Sequence, residues 1–172
     1  MRRTKLEENL LRLTSFAEEM QSHRIKPRFK LVCAENLVPP QKVAEALNLA
    51  EKEKVFYIER VQMAEREPIA LARGYWVSDI GEKLATQDLE KIPLYETLEN
   101  LFQIPLSEAI ESISAQPASA DIARQIGVHA HAPLLVRQRI TFTTDMRPVE
   151  YTTTYYHADR YEYKVRLARH GV

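Results

Sequence analysis

The chain has 172 residues, 45% of them apolar, and this length and composition suit one hydrophobic core in a single domain over residues 1–172. Its 24 Lys and Arg residues balance 24 Asp and Glu residues, so the formal net charge is zero. A free-standing nucleic-acid-binding protein usually carries a basic excess, because neutralisation of phosphates supplies most of its affinity. The composition therefore argues against that class.

The cysteine content and the hydropathy indicate the compartment. Cys33 is the only cysteine, which excludes an intrachain disulfide and a thiolate metal cluster and suits a reducing cytoplasm. We expect it to be a small buried side chain. No apolar run approaches the roughly 20 residues of a transmembrane helix, and Glu7 and Glu8 interrupt the basic N-terminus before any signal-peptide core. We therefore expect a soluble cytoplasmic protein without membrane contact.

The first capped helix is predicted to begin near Phe16. Ser15 and Glu18 have the spacing of a capping box, in which each side chain accepts a hydrogen bond from the backbone N–H of the other residue. Leucines at helical spacing before it predict an earlier helical turn that leads into the cap. These leucines are Leu6, Leu10 and Leu13.

A strand, a short helix and a hairpin are predicted next. Phe29, Leu31 and Cys33 alternate with polar residues, which predicts a half-buried strand. Pro39 and Pro40 suit the first turn of a short helix, where backbone N–H groups are unpaired in any case. The hairpin strands are 55–64 and 69–77, joined by a turn at 65–68.

The second half of the chain repeats this order. A helix at 94–102 leads to a strand at 107–116, and a further helix within 118–127 ends at Gly127, since glycine accommodates the left-handed residue that follows many helices. Two more strands complete the unit, at 134–144 and 149–157, joined by a turn at 145–148.

A shift of 79 or 80 residues aligns the two halves. It superimposes Val43, Ala44, Leu47 and Leu49 on Ile122, Ala123, Ile126 and Val128, and Pro68, Ile69 and Tyr75 on Pro148, Val149 and Tyr155. We therefore predict a duplicated unit. Because strands joined by tight turns pair antiparallel, the expected fold is α+β, with one six-stranded antiparallel sheet and helices packed on it. A pocket between sheet and helices, near the pseudo-two-fold axis, is the natural ligand site.

Motifs of the common enzyme classes are absent from the sequence. It contains no G-x-S-x-G, Walker, G-x-G-x-x-G, H-E-x-x-H or C-x-x-C pattern. His129 and His131 could offer two metal ligands where a site needs three or four, so loop histidines are the better interpretation. His157 and Asp159 could form part of a catalytic triad, but no nucleophile is placed beside them. We expect no catalytic residue, no metal and no cofactor.

Four arginines lie in predicted strands, and each has two interpretations. An arginine on the buried face of a strand must meet an anion, which the protein or a ligand could supply. Arginine is mostly exposed in proteins, so a solvated outer face is favoured for each one. They are Arg60, Arg73, Arg137 and Arg139.

Polar side chains alternate along the last predicted strand. Glu150, Thr152, Thr154 and Tyr156 share one face. Such a face is either exposed to solvent or the wall of a polar cavity. Because antiparallel sheets commonly expose one face to water, the pattern alone favours exposure.

Several separated blocks resemble one family. The segments LEENLLRLTSFAEEM, EPIALARGYW, PLYETLENLF and above all RPVEYTTTYYHADRYEYKVRL are similar to the UTRA domain, the ligand-sensing domain of HutC-type regulators in the GntR superfamily. The resemblance runs from about Lys5 to Leu167. It implies the duplicated antiparallel fold of chorismate lyase, a small-molecule effector bound between sheet and helices, and a homodimer formed through this domain. It also implies that DNA is contacted only through a winged helix-turn-helix that precedes the domain and is not expected within these residues.

The resemblance also implies a set of effector contacts. The helix start suits an anion, because free N–H groups and the positive end of the helix dipole face it. Arg60 is expected to be the charged partner of the effector, and Glu150 to face the same cavity. The full set is Ser15, Phe16, Ala17, Arg60, Gln62, Ala72, Tyr95, Glu150, Thr152 and Tyr156.

Four positions depart from family members that sense phosphosugars. Those members tend to have a hydroxyl residue where Ala17 stands, a second arginine at Gln62, a glutamate at Ala72 and a serine at Pro93. The departures favour a carboxylate-bearing or less polar effector over a sugar phosphate.

Two other functions stay open beside a sensor. A chorismate lyase-like enzyme acting on a small aromatic or carboxylic acid could use the same fold, since fold does not fix function, although the TSF and RPVEY blocks are those of regulators. A structural dimerisation module with an empty pocket would fit the four departures. In the sensor, the ligand shifts the dimer between two arrangements by no more than its differential affinity for them.

Overall fold

The computed structural model describes residues 6–9, 12–165 and 169, and for 6–9 the backbone alone. The strands are β1 (Leu6–Asn9), β2 (Pro27–Leu37), β3 (Val55–Ala64), β4 (Glu67–Val77), β5 (Leu106–Pro117), β6 (Pro133–Thr143), β7 (Pro148–His157) and β8 (Tyr161–Lys164). The helices are α1 (Phe16–Ser22), α2 (Gln41–Ala46), α3 (Ser78–Leu84), α4 (Leu94–Asn100) and α5 (Ala120–Ile126). None of these helices is long and apolar enough to cross a membrane.

One six-stranded antiparallel sheet dominates the α+β fold, as predicted. Its strand order is β2-β3-β4-β7-β6-β5, so the two repeats meet where β4 pairs with β7. The register is symmetric about the pair Arg73 and Thr153, because Ala72 lies opposite Thr154 and Gly74 opposite Thr152. The two predicted repeats are thus related by an approximate two-fold axis through the middle of the sheet.

Local sequence signals explain where two helices begin and end. Ser15 accepts a hydrogen bond from the Glu18 N–H, and Glu18 accepts one from the Ser15 N–H, so the capping box at α1 is present as predicted. Ser119 caps α5, and Gly127 follows it with a φ of 71°, in the left-handed region that favours glycine.

The helices cover both faces of the sheet. On one face α5 packs its apolar side against β3 and β4, with Ile122 and Ile126 in a cluster with Val61 and Leu71. Helix α2, the equivalent helix of the first repeat, lies on the same face. The opposite face is covered by α1, α3 and α4, and a cavity lies between α1, α4 and the sheet on this face.

The N-terminal segment differs from its prediction. The helical turn expected at Leu6, Leu10 and Leu13 is wrong, because residues 6–9 form β1, which pairs parallel with β8; Leu10 lies outside the described residues. The spacing of three leucines is a weak signal, whereas β1 obtains its hydrogen bonds from a strand about 155 residues away. Cys33 is half-buried, with Sγ 3.4 Å from Glu35 Oε1, and is not the buried side chain that we expected.

Candidate functional site: a polar cavity under α1 and α4

A cavity lies between the sheet and the N-terminal ends of α1 and α4. It holds about 620 Å³ of space not filled by atoms, part of which is open solvent at its mouth. Strands β3, β4, β6 and β7 supply its floor through alternate side chains of one face. Nine of the ten sequence-predicted positions line it: Ser15, Phe16, Ala17, Arg60, Gln62, Ala72, Tyr95, Glu150 and Thr152.

The tenth position, Tyr156, lies behind the wall. Its ring is fully buried and stacks on Tyr161, with 4.0 Å between ring centroids. The guanidinium of Arg137 lies 5.3 Å from the Tyr156 centroid, on the side of the cavity. Tyr156 therefore supports a lining arginine, and the cavity itself stops at Arg137.

Sequence reasoning left several lining residues out of the predicted set. Arg137 and Arg139 were considered only as strand arginines that could be solvated or meet an anion, and Thr154 only as part of the polar face of β7. Gly74 and Trp76 follow Ala72 at the period of a strand, so extension of the alternation along β4 would have found them. The complete addition is Phe29, Ile58, Gly74, Trp76, Pro93, Leu94, Arg137, Arg139 and Thr154.

Arg60 is a buried arginine without a carboxylate partner among the described residues. Only 5% of it is exposed, and its Nη1 donates to the carbonyl oxygens of Leu89, at 2.8 Å, and Ile92, at 3.0 Å. Its Cζ lies 4.3 Å from the ring centroid of Phe29. Burial lowers the pKa of Arg60 to about 10, although the negative charges of Glu150 and Glu96 oppose this shift. The guanidinium stays cationic at neutral pH and forms no ion pair with a carboxylate in the described part of the chain.

Arg139 is also buried, but the protein neutralises it. Its Nε donates to Glu111 Oε1, and its Nη1 donates to the carbonyl oxygen of Thr14 at 2.9 Å. Arg137 lies between two carboxylates, with Nη1 3.7 Å from Glu19 Oε1 and Nε 3.8 Å from Glu111 Oε1. Of the three arginines in the wall, Arg60 alone forms no ion pair with a described carboxylate.

Glu150 is a buried carboxylate held by hydroxyl groups. Tyr95 Oη donates to its Oε2 at 2.6 Å, and Thr141 Oγ1 donates to the same oxygen at 2.8 Å. Thr152 Oγ1 donates to Oε1. Desolvation, followed by the charge of Glu150, raises the pKa of Tyr95, so the phenol remains a donor. These three donors fix the carboxylate in the wall beside the cavity.

Ser15 joins the two helices at the rim. Its Oγ accepts from the Glu18 N–H and donates to Glu96 Oε1 at 2.7 Å, which ties the start of α1 to α4. The other oxygen of Glu96 is buried and has no hydrogen-bond partner among the described residues. Because the capping box already uses the Ser15 side chain, the short helix α1 contributes shape to the rim more than free hydrogen-bonding groups.

Two expectations from strand patterning are wrong. The polar face of β7 is not solvent-exposed, since Glu150 is 5% exposed and Thr154 1%. Arg60, Arg137 and Arg139 are not on a solvated outer face either, as each is at most 5% exposed. The pattern along a strand cannot reveal what covers it, and here α1 and α4 cover the polar face and leave a cavity against it.

Nothing in the described residues suggests a metal centre, because they contain no group of three or more His, Cys, Asp or Glu side chains placed to hold an ion. The polar groups of the cavity include three arginines, of which Arg60 has no carboxylate partner among the described residues, the carboxylate of Glu150, the Gln62 amide, the Trp76 indole N–H and several hydroxyls. They can recognise a small polar molecule by charge and hydrogen bonding.

Comparisons with known proteins identify the family. The UTRA domain model matches residues 22–162. The chain is 27% identical over 158 residues to the HTH-type transcriptional regulator Rv0792c of Mycobacterium tuberculosis, covering 90% of this chain and 58% of that protein. It is 25% identical over 159 residues to the HTH-type transcriptional repressor NagR of Bacillus subtilis, covering 92% of this chain and 65% of that protein. It thus spans about six tenths of the curated relatives it matches.

A solved structure shows the same fold. The effector domain of PhnF from Mycobacterium smegmatis superimposes with a TM-score of 0.86 at 18% identity, over 94% of this chain and 99% of that domain. The UTRA domain model matches most of the chain, and the superposition on the PhnF effector domain shows that the two domains share a fold. The chain therefore belongs to the UTRA domain family, the effector-binding domains of GntR-family transcriptional regulators.

Proposed function

We propose that this domain is the sensor and dimerisation module of a HutC-type transcription regulator in the cytoplasm, and that its effector is a small anion bound in the cavity under α1 and α4. The effector would control DNA binding by a winged helix-turn-helix domain of the longer protein. Both curated relatives are named as HTH-type regulators, which supports a DNA-binding partner domain. We propose binding without catalysis, since these relatives are transcriptional regulators.

Arg60 is the observation that carries this proposal. A buried guanidinium that is not paired with a carboxylate is costly, because burial removes its hydration. Arg60 keeps this position while Arg137 and Arg139, in the same wall, lie near protein carboxylates. An anionic ligand group at Arg60 would give this arginine the negatively charged partner that the other two already have, and it would gain a charge-assisted hydrogen bond.

The rest of the wall favours a carboxylate over a phosphate. A phosphate carries up to two negative charges and takes several free donors, whereas Arg137 and Arg139 in this wall already lie near protein carboxylates. Here Ala17, Gln62, Ala72 and Pro93 line the cavity where the phosphosugar-sensing members tend to have polar or charged residues. Glu150 adds a fixed negative charge, which would accept a hydrogen bond from a donor group of the effector.

Effector binding would act through the segment before α1. The Thr14 carbonyl accepts from Arg139, and Ser15 is tied to α4 through Glu96, so the cavity wall contacts the chain that leads to the N-terminus. A ligand that binds one arrangement of this segment better than another shifts the dimer toward it, by no more than the difference in affinity.

A thermal-shift screen of bacterial metabolites tests this function. Carboxylates should raise the melting temperature of the native chain, since a ligand that binds only the folded state stabilises it. The same compounds should fail to stabilise Arg60→Ala, whereas Arg124→Ala, which changes an arginine on α5 that is 75% exposed, should respond like the parent. If every compound that raises the melting temperature of the parent raises that of Arg60→Ala by the same amount, the proposed site is wrong.

A further inference from the structure

The indole N–H of Trp76 is a buried donor in the wall of the cavity. The side chain is 0% exposed and lines the site, and its Nε1 has no hydrogen-bond partner among the described residues. Buried donors nearly always have an acceptor in native proteins, and an indole N–H can only donate. This donor is therefore unmatched within the described part of the chain.

Gly74 keeps the front of this donor clear of a side chain, because even a Cβ at this position would crowd it. A Cβ added at Gly74 would lie 3.2 Å from Trp76 Nε1, 3.3 Å from Thr152 Oγ1 and 3.8 Å from Glu150 Oε1. The space above Gly74 is thus bordered by an unmatched donor, a hydroxyl and a carboxylate oxygen. A glycine within a strand is typical of places where a ligand approaches the backbone closely.

Arg60 and Gly74 lie on the same face of neighbouring strands. Arg60 is opposite Ala72, and Gly74 is two residues further along that strand. Such diagonal neighbours are roughly 7–8 Å apart at the backbone. Both residues line the same cavity, so one small molecule in it can contact both.

We infer that the effector is a small carboxylate that also bears a carbonyl-type oxygen, and that Trp76 donates to this oxygen above Gly74 while Arg60 pairs with the carboxylate. This inference rests on the proposed function, because it takes Arg60 as the anion-binding residue. It makes Trp76 a specificity-determining residue that separates oxo- and amido-carboxylates from plain carboxylates of the same length. The buried Oε1 of Gln62, which also has no partner among the described residues, suits the N–H of an amide.

Trp76 is the only tryptophan, so its indole gives a single signal. We would label the chain with ¹⁵N and titrate it with pentanoate, 4-oxopentanoate and N-acetylglycine, which have the same main-chain length and differ in the carbonyl or amide group. The oxo and amido acids should bind about tenfold more tightly, the worth of one hydrogen bond. They should also move the indole proton downfield, as hydrogen bonding does, whereas pentanoate should leave it in place.

Two variants test the same contact in different ways. Trp76→Phe keeps an aromatic ring without the N–H and should bind pentanoate and 4-oxopentanoate with equal affinity. Gly74→Ala keeps the indole but fills the space in front of it and should also lose the preference. Equal affinities in the parent, an unmoved indole signal at saturation with 4-oxopentanoate, or no binding of any of the three acids would overturn the inference.

The proposed function is judged separately. A metabolite that binds through Arg60 but leaves the indole signal unmoved overturns this inference and supports the proposed function. If the acids bind and Arg60→Ala binds them as well as the parent does, both are overturned, because neither the carboxylate partner nor the site is then the one described.

Discussion

Arg60 and Arg139 are equivalent residues of the two repeats. Arg60 lies opposite Ala72 and Arg139 opposite Thr152, and the register about Arg73 and Thr153 makes these two positions equivalent. Both guanidinium groups are buried in one cavity, yet Glu111 pairs with Arg139 and no described carboxylate pairs with Arg60. The duplication therefore supplies two cations at one site, and the protein neutralises only one of them.

Glu150→Gln tests the second charge of the cavity. The substitution keeps the shape and removes the negative charge that three hydroxyls hold. If the effector carries an amine, its affinity should fall by about 1.5–3 kcal/mol, the worth of a hydrogen bond to a charged group. Calorimetry would measure this, with the exposed Glu82→Gln as control. Unchanged binding of an amine-bearing effector would place its donor elsewhere.

Gly127→Ala tests the cap that the sequence predicts. The residue has a φ of 71°, and an added Cβ would meet only Pro68 Cγ, at 4.0 Å. The cost is therefore conformational, and the free energy of unfolding should fall by about 1 kcal/mol. Gly127→Asn should lose less, because asparagine tolerates this region. Chemical denaturation measures both, and equal stability of Gly127→Ala and the parent would contradict the assignment.

Asp79 makes the free energy of unfolding depend on pH. Arg147 donates to both carboxylate oxygens of Asp79, at 2.9 and 2.6 Å, and this pairing lowers the pKa of Asp79 below its ordinary value of 3.8. The unfolded chain then takes up its proton at higher pH, so the stabilisation is present above about pH 4 and is lost as the pH falls through the folded pKa.

The Asp79 pair is exposed, so its contribution should be below about 1 kcal/mol. Asp79→Asn should lower the free energy of unfolding slightly at pH 7, and this free energy should then fall less steeply with decreasing pH than it does in the parent. The exposed Asp159→Asn should show the same fall as the parent. Urea unfolding between pH 3 and 7 measures this. An equal acid decline in parent and Asp79→Asn would show that the pair contributes nothing.

The domain should form a homodimer. The six-stranded sheet has exposed edges at β2 and β5, and edge strands offer unpaired backbone groups to a second copy. Ile110 on β5 is 61% exposed, which gives that edge apolar surface as well. Sedimentation at tens of micromolar should show a dimer, a concentration at which a modest interface is already associated. A monomer at that concentration would contradict the prediction.

Local signals in the sequence predicted most of the fold. The capping box at Ser15, the left-handed Gly127 and the alternation in the hairpin strands each depend on neighbouring residues, so they can be recognised without tertiary structure. The strand β1 could not be recognised in this way, because its hydrogen bonds come from β8 at the other end of the chain. Helix α3 was missed as well; Val77 precedes it without a side-chain cap.

The candidate site, like the fold, could be predicted from the sequence only where local patterns determine it. Alternation placed Glu150 and Thr152 on one face, but their burial depends on α1 and α4, which cover them from distant parts of the sequence. Resemblance to the UTRA domain, and not patterning, assigned these residues to a site. Extension of the alternation along β4 would have placed Trp76 on the face of Ala72, but its unmatched indole N–H and its closeness to Gly74 are visible only in the folded sheet.

Calorimetric titration of Arg60→Ala with an effector identified on the parent protein tests the central claim most directly. The affinity should fall by about 1.5–3 kcal/mol, roughly a ten- to 150-fold rise in Kd, because the ligand loses its charge-assisted hydrogen bond. Circular dichroism should show an unchanged fold, and Arg124→Ala should bind like the parent. If Arg60→Ala folds and binds the effector with the parent's affinity, Arg60 does not hold the anion and the cavity under α1 and α4 is not the effector site.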